Sequence, residues 1–110
     1  MTVQELVNAL KLTVLSGKDG LNREIEGCYV SDLLSDVMGN AEINNVWVTL
    51  QTHKNVMAIA SLKELACVIL VKGQSASEET LAQSNEEGIP FLSTTMQTFE
   101  TAGKIYDLLK

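Results

Sequence analysis

The sequence predicts an α/β domain, a two-layer or three-layer β/α arrangement with a mostly parallel sheet. Three observations carry this expectation. From about Asn45 onward, apolar strand-like runs alternate with helical stripes, an order that implies right-handed crossovers in a parallel sheet. The run Cys67-Val68-Ile69-Leu70-Val71 shows no polar alternation, which suits a strand covered on both faces. The chain has 110 residues, 45% hydrophobic and 20% charged, enough for one core and too few for two, so residues 1–110 are read as a single domain.

Element by element, Thr2-Val3-Gln4-Glu5 is a capping box, and Val3, Leu6, Val7 and Leu10 follow on one helical stripe. Leu12 to Leu15 is short and β-rich, and Ser16-Gly17-Lys18-Asp19-Gly20 is a turn. Ile25 to Val30 resumes as a strand, with Gly27 marking a bulge or close packing. Ser31-Asp32 caps a short helix from Leu33 to Met38, stopped at Gly39-Asn40 by residues that tolerate left-handed backbone. Val46 to Leu50 is a strand. Thr52 caps a helix from His53 to Leu65, with Val56, Met57, Ala60 and Leu65 on its apolar side. After the Cys67–Val71 strand, Ser77 caps a polar helix whose first turn holds Glu78 and Glu79, suited to the positive dipole end. Gly88-Ile89-Pro90 stops it. Phe91 and Leu92 open a last strand, Thr94 with Gln97 forms a second capping box, and Phe99, Ala102, Gly103, Tyr106 and Leu109 make the final apolar stripe.

Charge narrows the partners. Eight basic against fourteen acidic side chains leave a net −6, a poor match for nucleic acid or an anionic membrane surface. No run approaches the roughly 18 apolar residues a transmembrane helix needs. The first fifteen residues contain Glu5 and lack a basic start and a small-residue cleavage site, so no secretory signal is expected and the chain is placed in the cytoplasm. Cys28 and Cys67 sit in apolar runs without a Cys-x-x-Cys pair or a nearby histidine. They are read as buried thiols, with neither a metal nor a cofactor implied.

In an open parallel sheet, ligands bind beyond the carboxyl ends of the strands. The loops expected there carry Ser31 and Asp32, then Thr49, Gln51, Thr52 and His53, then Lys72 and Gly73, then Ser93 and Thr94. Hydroxyls, an amide, a cation, an imidazole and helix starts suit a small anion. The same residue types also serve as caps and turns. His53 is the only histidine, and a general-base role would need Asp32 or Asp36 as its orienting carboxylate. Asp32 and Asp36 are four apart on the short helix and are read as a solvated face. The turn Ser16–Gly20 lacks the Gly-x-x-x-x-Gly-Lys spacing of a phosphate loop, and no Gly-x-Gly-x-x-Gly exists. No catalytic constellation is predicted.

Several stretches carry a family resemblance. Leu12-Thr13-Val14-Leu15-Ser16-Gly17, Leu21-Asn22-Arg23-Glu24-Ile25 with Gly27, and Tyr29-Val30-Ser31-Asp32-Leu33-Leu34-Ser35-Asp36-Val37-Met38 form its first half. Val46 to His53, Val68 to Gly73 and Glu87 to Thr94 complete it. Together they resemble the DRTGG domain, a module similar to the N-terminal domain of bacterial HPr kinase/phosphorylase. The literal Asp-Arg-Thr-Gly-Gly string is replaced: the chain reads Gln51-Thr52-His53-Lys54-Asn55 after one strand and keeps only Gly73 after the next. The resemblance implies a non-catalytic regulatory or accessory module that binds a small anionic or nucleotide-like ligand or a partner protein. It also implies a link to iron-only hydrogenases or electron-transfer proteins. Self-association is expected from the apolar content, cyclic dimers being the commonest oligomer. The alternatives are a kinase-like transferase using His53 and a redox accessory using Cys28 and Cys67.

Overall fold

The computed structural model describes residues 1–110. Ten regular elements follow in order: α1 (Val3–Leu10), β1 (Thr13–Ser16), β2 (Cys28–Val30), α2 (Leu34–Asn40), β3 (Val46–Thr49), α3 (Asn55–Leu62), β4 (Cys67–Leu70), α4 (Glu78–Glu87), β5 (Phe91–Ser93) and α5 (Thr98–Leu109). The strands form one sheet in the order β1-β5-β4-β3-β2. β2 through β5 are parallel, and β1 closes the far edge antiparallel to β5 with a register shift between Val14 and Ser16. The expected mostly parallel α/β sheet is the observed one, and it has three layers.

Strand alternation sorts the core. Val46, Val48, Cys67, Ile69 and Leu92 face one side, where they pack with Val3, Leu6 and Val7 of α1 and Ile105 of α5. Trp47, Val68, Leu70 and Phe91 face the other, against Val37 of α2 and Val56, Met57 and Ala60 of α3. Both faces of β3 and β4 are buried, which is why their sequences are continuously apolar. One face of the sheet therefore carries α1 and α5, the other α2, α3 and α4. No helix is long and apolar enough to cross a membrane.

Local signals with local partners form as expected. Thr2 and Glu5 make the reciprocal capping box. Ser77 accepts from the Thr80 amide, and Gly88 ends α4 in left-handed backbone at φ 64°. Other elements depart from expectation. β2 starts only at Cys28, because the Ile25 and Glu26 amides are taken by the Met1 and Asn44 carbonyls and Gly27 turns the chain at φ 89°. The Ser16–Gly20 turn holds a single 3-10 turn over Lys18–Gly20 that presses on the α4–β5 connection. A Cβ on Gly17 would approach the Ile89 carbonyl oxygen at 2.5 Å, and one on Gly20 would overlap the Gly88 carbonyl, so both glycines are required by tertiary contact.

α2 has no side-chain cap, and the residue after it, Ala41, is extended. Gly39-Asn40 therefore lies inside the helix rather than stopping it, and Asn40 donates back to the Asp36 carbonyl. α3 ends at Leu62, short of Leu65, because Glu64 turns left-handed at φ 52°. Lys54 and Gln97, not Thr52 and Thr94, occupy the N-cap positions of α3 and α5, neither with a side-chain cap. In α5 the expected helix forms, but its buried residues are Thr101 and Ile105, and Phe99 and Tyr106 of the apolar stripe face outward.

Candidate ligand site at the carboxyl edge of the sheet

Four parallel neighbours, β2 to β5, bring the four loops that follow them to one edge. The β2 and β3 loops are joined through Asp32. Its carboxylate accepts from the Thr49 hydroxyl at 2.9 Å and the Leu50 amide at 2.7 Å, and the Gln51 side chain donates to the Asp32 carbonyl at 3.4 Å. Asp32 therefore ties two loops together instead of capping α2; its sequence neighbour Ser31 accepts from the Leu33 amide. Beneath them, the fully buried Trp47 donates its indole N–H to the Ser31 carbonyl at 2.8 Å, anchoring the loop to the core.

The chain then folds on itself stepwise. The Gln51 amide donates to the Thr49 hydroxyl, the His53 amide to the Gln51 side-chain oxygen, and the Asn55 amide to His53 Nδ1. These side-chain turns stand in for the expected Thr52 cap of α3. On the β4–β5 side, Lys72 and Gly73 are both left-handed, at φ 58° and 70°. Their amides donate to the Met96 and Thr94 carbonyls at 2.9 and 2.8 Å. The Thr94 hydroxyl accepts from the Met96 amide, and Ser93 pairs with Leu70 inside the sheet. The Val71 amide, donating to the Thr49 carbonyl, joins the two halves.

The ten residues expected at the site thus share one edge. Most of its polar groups are engaged, yet the amides of Asp32, Thr52, Ser75 and Thr95 donate to no protein acceptor. Each of the four loops keeps at least one such N–H. His53, Lys54 and Lys72 are exposed beside them, so the edge offers backbone donors with nearby positive charge, the pairing that anions favour.

The edge is open rather than cupped. The hollows of the molecule lie elsewhere: about 480 Å³ between β2 and α5, about 400 Å³ beside Thr2 and Lys18, and about 330 Å³ between α2 and α3. None is lined by the ten residues. The catalytic arrangement considered for His53 is not assembled. Its Nδ1 is engaged by a backbone amide, and no hydrogen bond links it to Asp32 or Asp36. Those two carboxylates do not share a helix face, since Asp32 precedes α2 and turns to β3 while Asp36 accepts from the Tyr29 hydroxyl at 2.9 Å. Hydrogen bonds from Ser31, Tyr29 and Asn40 hold the Asp36 carboxyl below its usual range.

The two thiols occupy one row of the sheet, with Val46 between them. Two strand spacings separate them by about 10 Å, beyond the reach of a disulfide. Desolvation pushes Cys28 up to about 12, and burial together with Cys28 raises Cys67 further. Cys67 is buried, as expected, whereas Cys28 is half-buried on the hollow between β2 and α5. That hollow escaped the sequence reading. Its one available signal was a glycine at the centre of the Phe99–Tyr106 stripe, a poor choice for a core-facing helix position.

A family model described as the DRTGG domain matches residues 5–108. Among curated relatives, the chain is 27% identical over 124 aligned positions to an HPr kinase/phosphorylase of Brevibacillus brevis, covering 98% of this chain and 40% of that protein. It is 22% identical to the HPr kinase/phosphorylases of Bacillus cereus and Bacillus mycoides, covering 97% of this chain and 40% of each. The chain thus spans about 40% of the length of these relatives. Among solved structures, it resembles the CBS and DRTGG domains of the regulatory region of Clostridium perfringens pyrophosphatase, crystallised with the activator diadenosine tetraphosphate. The TM-score is 0.72 at 9% identity, over 93% of this chain and 44% of that one. At that identity the likeness is one of fold.

Proposed function

The chain belongs to the DRTGG domain family, and from that premise we propose that it is a regulatory or accessory module that binds a phosphate-bearing small molecule, nucleotide-like in class, at the carboxyl edge of its sheet. One observation carries the reading: four loops meet there, each with an unpartnered amide N–H, beside Lys54, Lys72 and His53. An anion spanning the loops would collect these donors together and would replace water at groups the protein leaves unpaired. The structural neighbour's regulatory region was crystallised with an activator of this chemical class, which supports the choice of ligand.

An open edge favours a ligand long enough to bridge several loops over a single phosphate. A cytoplasmic setting and a homodimeric state accompany this reading. The relatives and the neighbour are a kinase/phosphorylase and a pyrophosphatase, which favours a phosphate-handling enzyme as partner; the hydrogenase link rests on the sequence resemblance alone.

Thermal unfolding with diadenosine tetraphosphate, ATP, AMP or inorganic phosphate tests the proposal. A ligand at 100 times its Kd adds about 2.7 kcal/mol, which for a domain of this size raises Tm by roughly 10 °C. The expected order is dinucleotide above mononucleotide above phosphate, with the shift reduced in Lys72→Ala. Absence of a shift with every one of the four overturns the proposal.

A further inference from the structure

We propose that the outer edge of β2 takes up an extended segment of a partner protein as one further strand of the sheet, a segment with a basic residue between two bulky apolar ones. The inference is independent of the ligand reading above and concerns the lateral border of the sheet, not the carboxyl ends of its strands.

β2 ends the sheet, and the backbone groups on its inner side are all used. Gly27 accepts from the Val46 amide at 3.0 Å, and the Ser31 amide donates to the Val48 carbonyl at 3.2 Å. Tyr29, paired with Trp47 between them, turns the same way in the parallel ladder. Cys28 and Val30 therefore direct their amides and carbonyls outward, where no other strand meets them. A row of free main-chain donors and acceptors is matched by a second extended backbone, the pairing by which sheets recruit peptides. The edge is also not blunted. Cys28-Tyr29-Val30 holds no proline and no charge, its register with β3 has no bulge, and Val30 is 42% exposed.

The surroundings of the edge say which side chains such a strand carries. Cys28 and Val30 face the α5 side, and residues directly opposite them on an added strand face that side too. There lies the hollow of about 480 Å³, walled on α5 by Phe99, Ala102, Gly103 and Tyr106. Phe99 is 90% exposed and Tyr106 71% exposed, so two bulky apolar side chains entering the hollow would cover both rings. A Cβ on Gly103 would meet nothing within 4 Å, so no contact inside the chain requires that weak helix former, and its bareness keeps the wall low. The residue between the two apolar ones faces the opposite side, beside Tyr29 and the Asp36 carboxylate to which Tyr29 donates. Neither Asp36 nor Glu26 has an ion-pair partner, and the cation lining the hollow, Lys110, is taken by Asp107 at 3.3 Å. This acidic border, on a chain of net charge −6, selects a basic central residue. It also disfavours a second copy on the edge, because two β2 strands side by side would bring like charges together.

Fluorescence anisotropy of the full chain with the capped, dye-labelled peptide Ser-Gly-Leu-Lys-Leu-Gly-Ser tests this, joined to amide exchange read by NMR. The expected Kd is about 100 µM, the strength of a small transient contact. With the peptide at saturation, exchange at the Cys28 and Val30 amides should slow at least ~10-fold, while that at Tyr29, already bonded to β3, should not change. N-methylation of the three central peptide residues removes the donors offered to the edge in either strand direction and should weaken binding at least ~10-fold. Glutamate in place of the peptide lysine should weaken it roughly 5-fold. Phe99→Ser, at a side chain exposed in the single chain, should also weaken it roughly 5-fold while circular dichroism stays native. No binding at about 1 mM peptide, or binding that survives N-methylation or the glutamate exchange unchanged, overturns the proposal. So does protection of Cys28 and Val30 that arises without peptide as the chain is concentrated, which would put a second copy on the edge.

Discussion

The carboxyl edge of the sheet and the face between β2 and α5 are built on opposite terms. At the edge, Asp32, Thr49, Gln51 and His53 are chained by hydrogen bonds, Trp47 ties the loop to the core, and Lys72-Gly73 is latched to the β5 loop. No hollow forms, and the binding proposed there would rely on the few donors left over. Across the β2–α5 face little is latched: aromatic rings stand in solvent over a hollow, and the one ion pair beside it, Asp107–Lys110, is local to α5 and exposed. The difference teaches which force each region has available. A polar edge whose groups bond one another gains specificity from geometry and little from area, whereas an apolar face gains from every square ångström removed from water.

The contrast can be broken most sharply at Cys28, which lines the hollow. Burial lifts its thiol from 9.0 to about 12, so near pH 8 the thiolate is scarcer by roughly a thousand-fold than in the unfolded chain. Higher intrinsic nucleophilicity returns part of this, leaving labelling by an aromatic disulfide roughly 50-fold slower than in denaturant. Cys67 should react only on unfolding. A native rate equal to the denatured one would mean the hollow is open to water and the face is not apolar in effect.

Next in size is the cost of mutation to folding. Thr49 is fully buried, and its hydroxyl both donates to Asp32 and accepts from Gln51. Thr49→Val keeps the shape, removes both bonds and should cost about 1–3 kcal/mol in urea unfolding. Phe99→Ser, on the open face, should stay within about 0.5 kcal/mol in dilute monomer. Equal costs would erase the distinction between a latched edge and an unlatched face.

How far the sequence could see follows the range of each interaction. Thr2 with Glu5, Ser77 with Thr80, and Gly88 after α4 are contacts within a helical turn, and each formed where the residues suggested. The Cys67–Val71 run announced a strand buried on both faces because burial is written in its own composition. Asp32 could not be read this way. Its partners are Thr49 and Leu50, and only β2–β3 pairing decides that it turns to them instead of to α2. Gly17 and Gly20 looked like turn residues, and their necessity comes from the distant Ile89 and Gly88 carbonyls. In α5 the period correctly gave a helix with an apolar stripe. Thr101 and Ile105 offered a second stripe, and hydrophobicity alone does not say which one meets the sheet and which is left exposed. The ten residues lie at one edge because parallel topology fixes where strand ends and their loops go, while whether they enclose space depends on side-chain bonds no spacing rule encodes.

The smallest effect lies on β2 itself, where the two regions share a strand. Cys28 and Val30 point to the open face, and Tyr29, between them, points to the closed one and donates its hydroxyl to Asp36. Hydrogen bonds from Ser31, Tyr29 and Asn40 lower the Asp36 carboxyl from its ordinary value of 3.8. A carboxyl lowered on folding adds stability that is present above its unfolded value and is lost as pH falls through the folded one. The wild-type advantage over Asp36→Asn should therefore hold at pH 6 and shrink below pH 3.8. The same bond raises the Tyr29 phenol above 10.0, so its contribution is complete below that pH and fades as pH climbs through the raised value. Tyr29→Phe should abolish the alkaline limb and only reduce the acid one, because the bonds to Asp36 from Ser31 and Asn40 remain. Melting curves of the three proteins from pH 3 to 11 decide it. An Asp36→Asn difference that is constant across the acid limb would mean that the closed side of β2 is held by packing alone, and that its contrast with the open side owes nothing to the Tyr29–Asp36 bond.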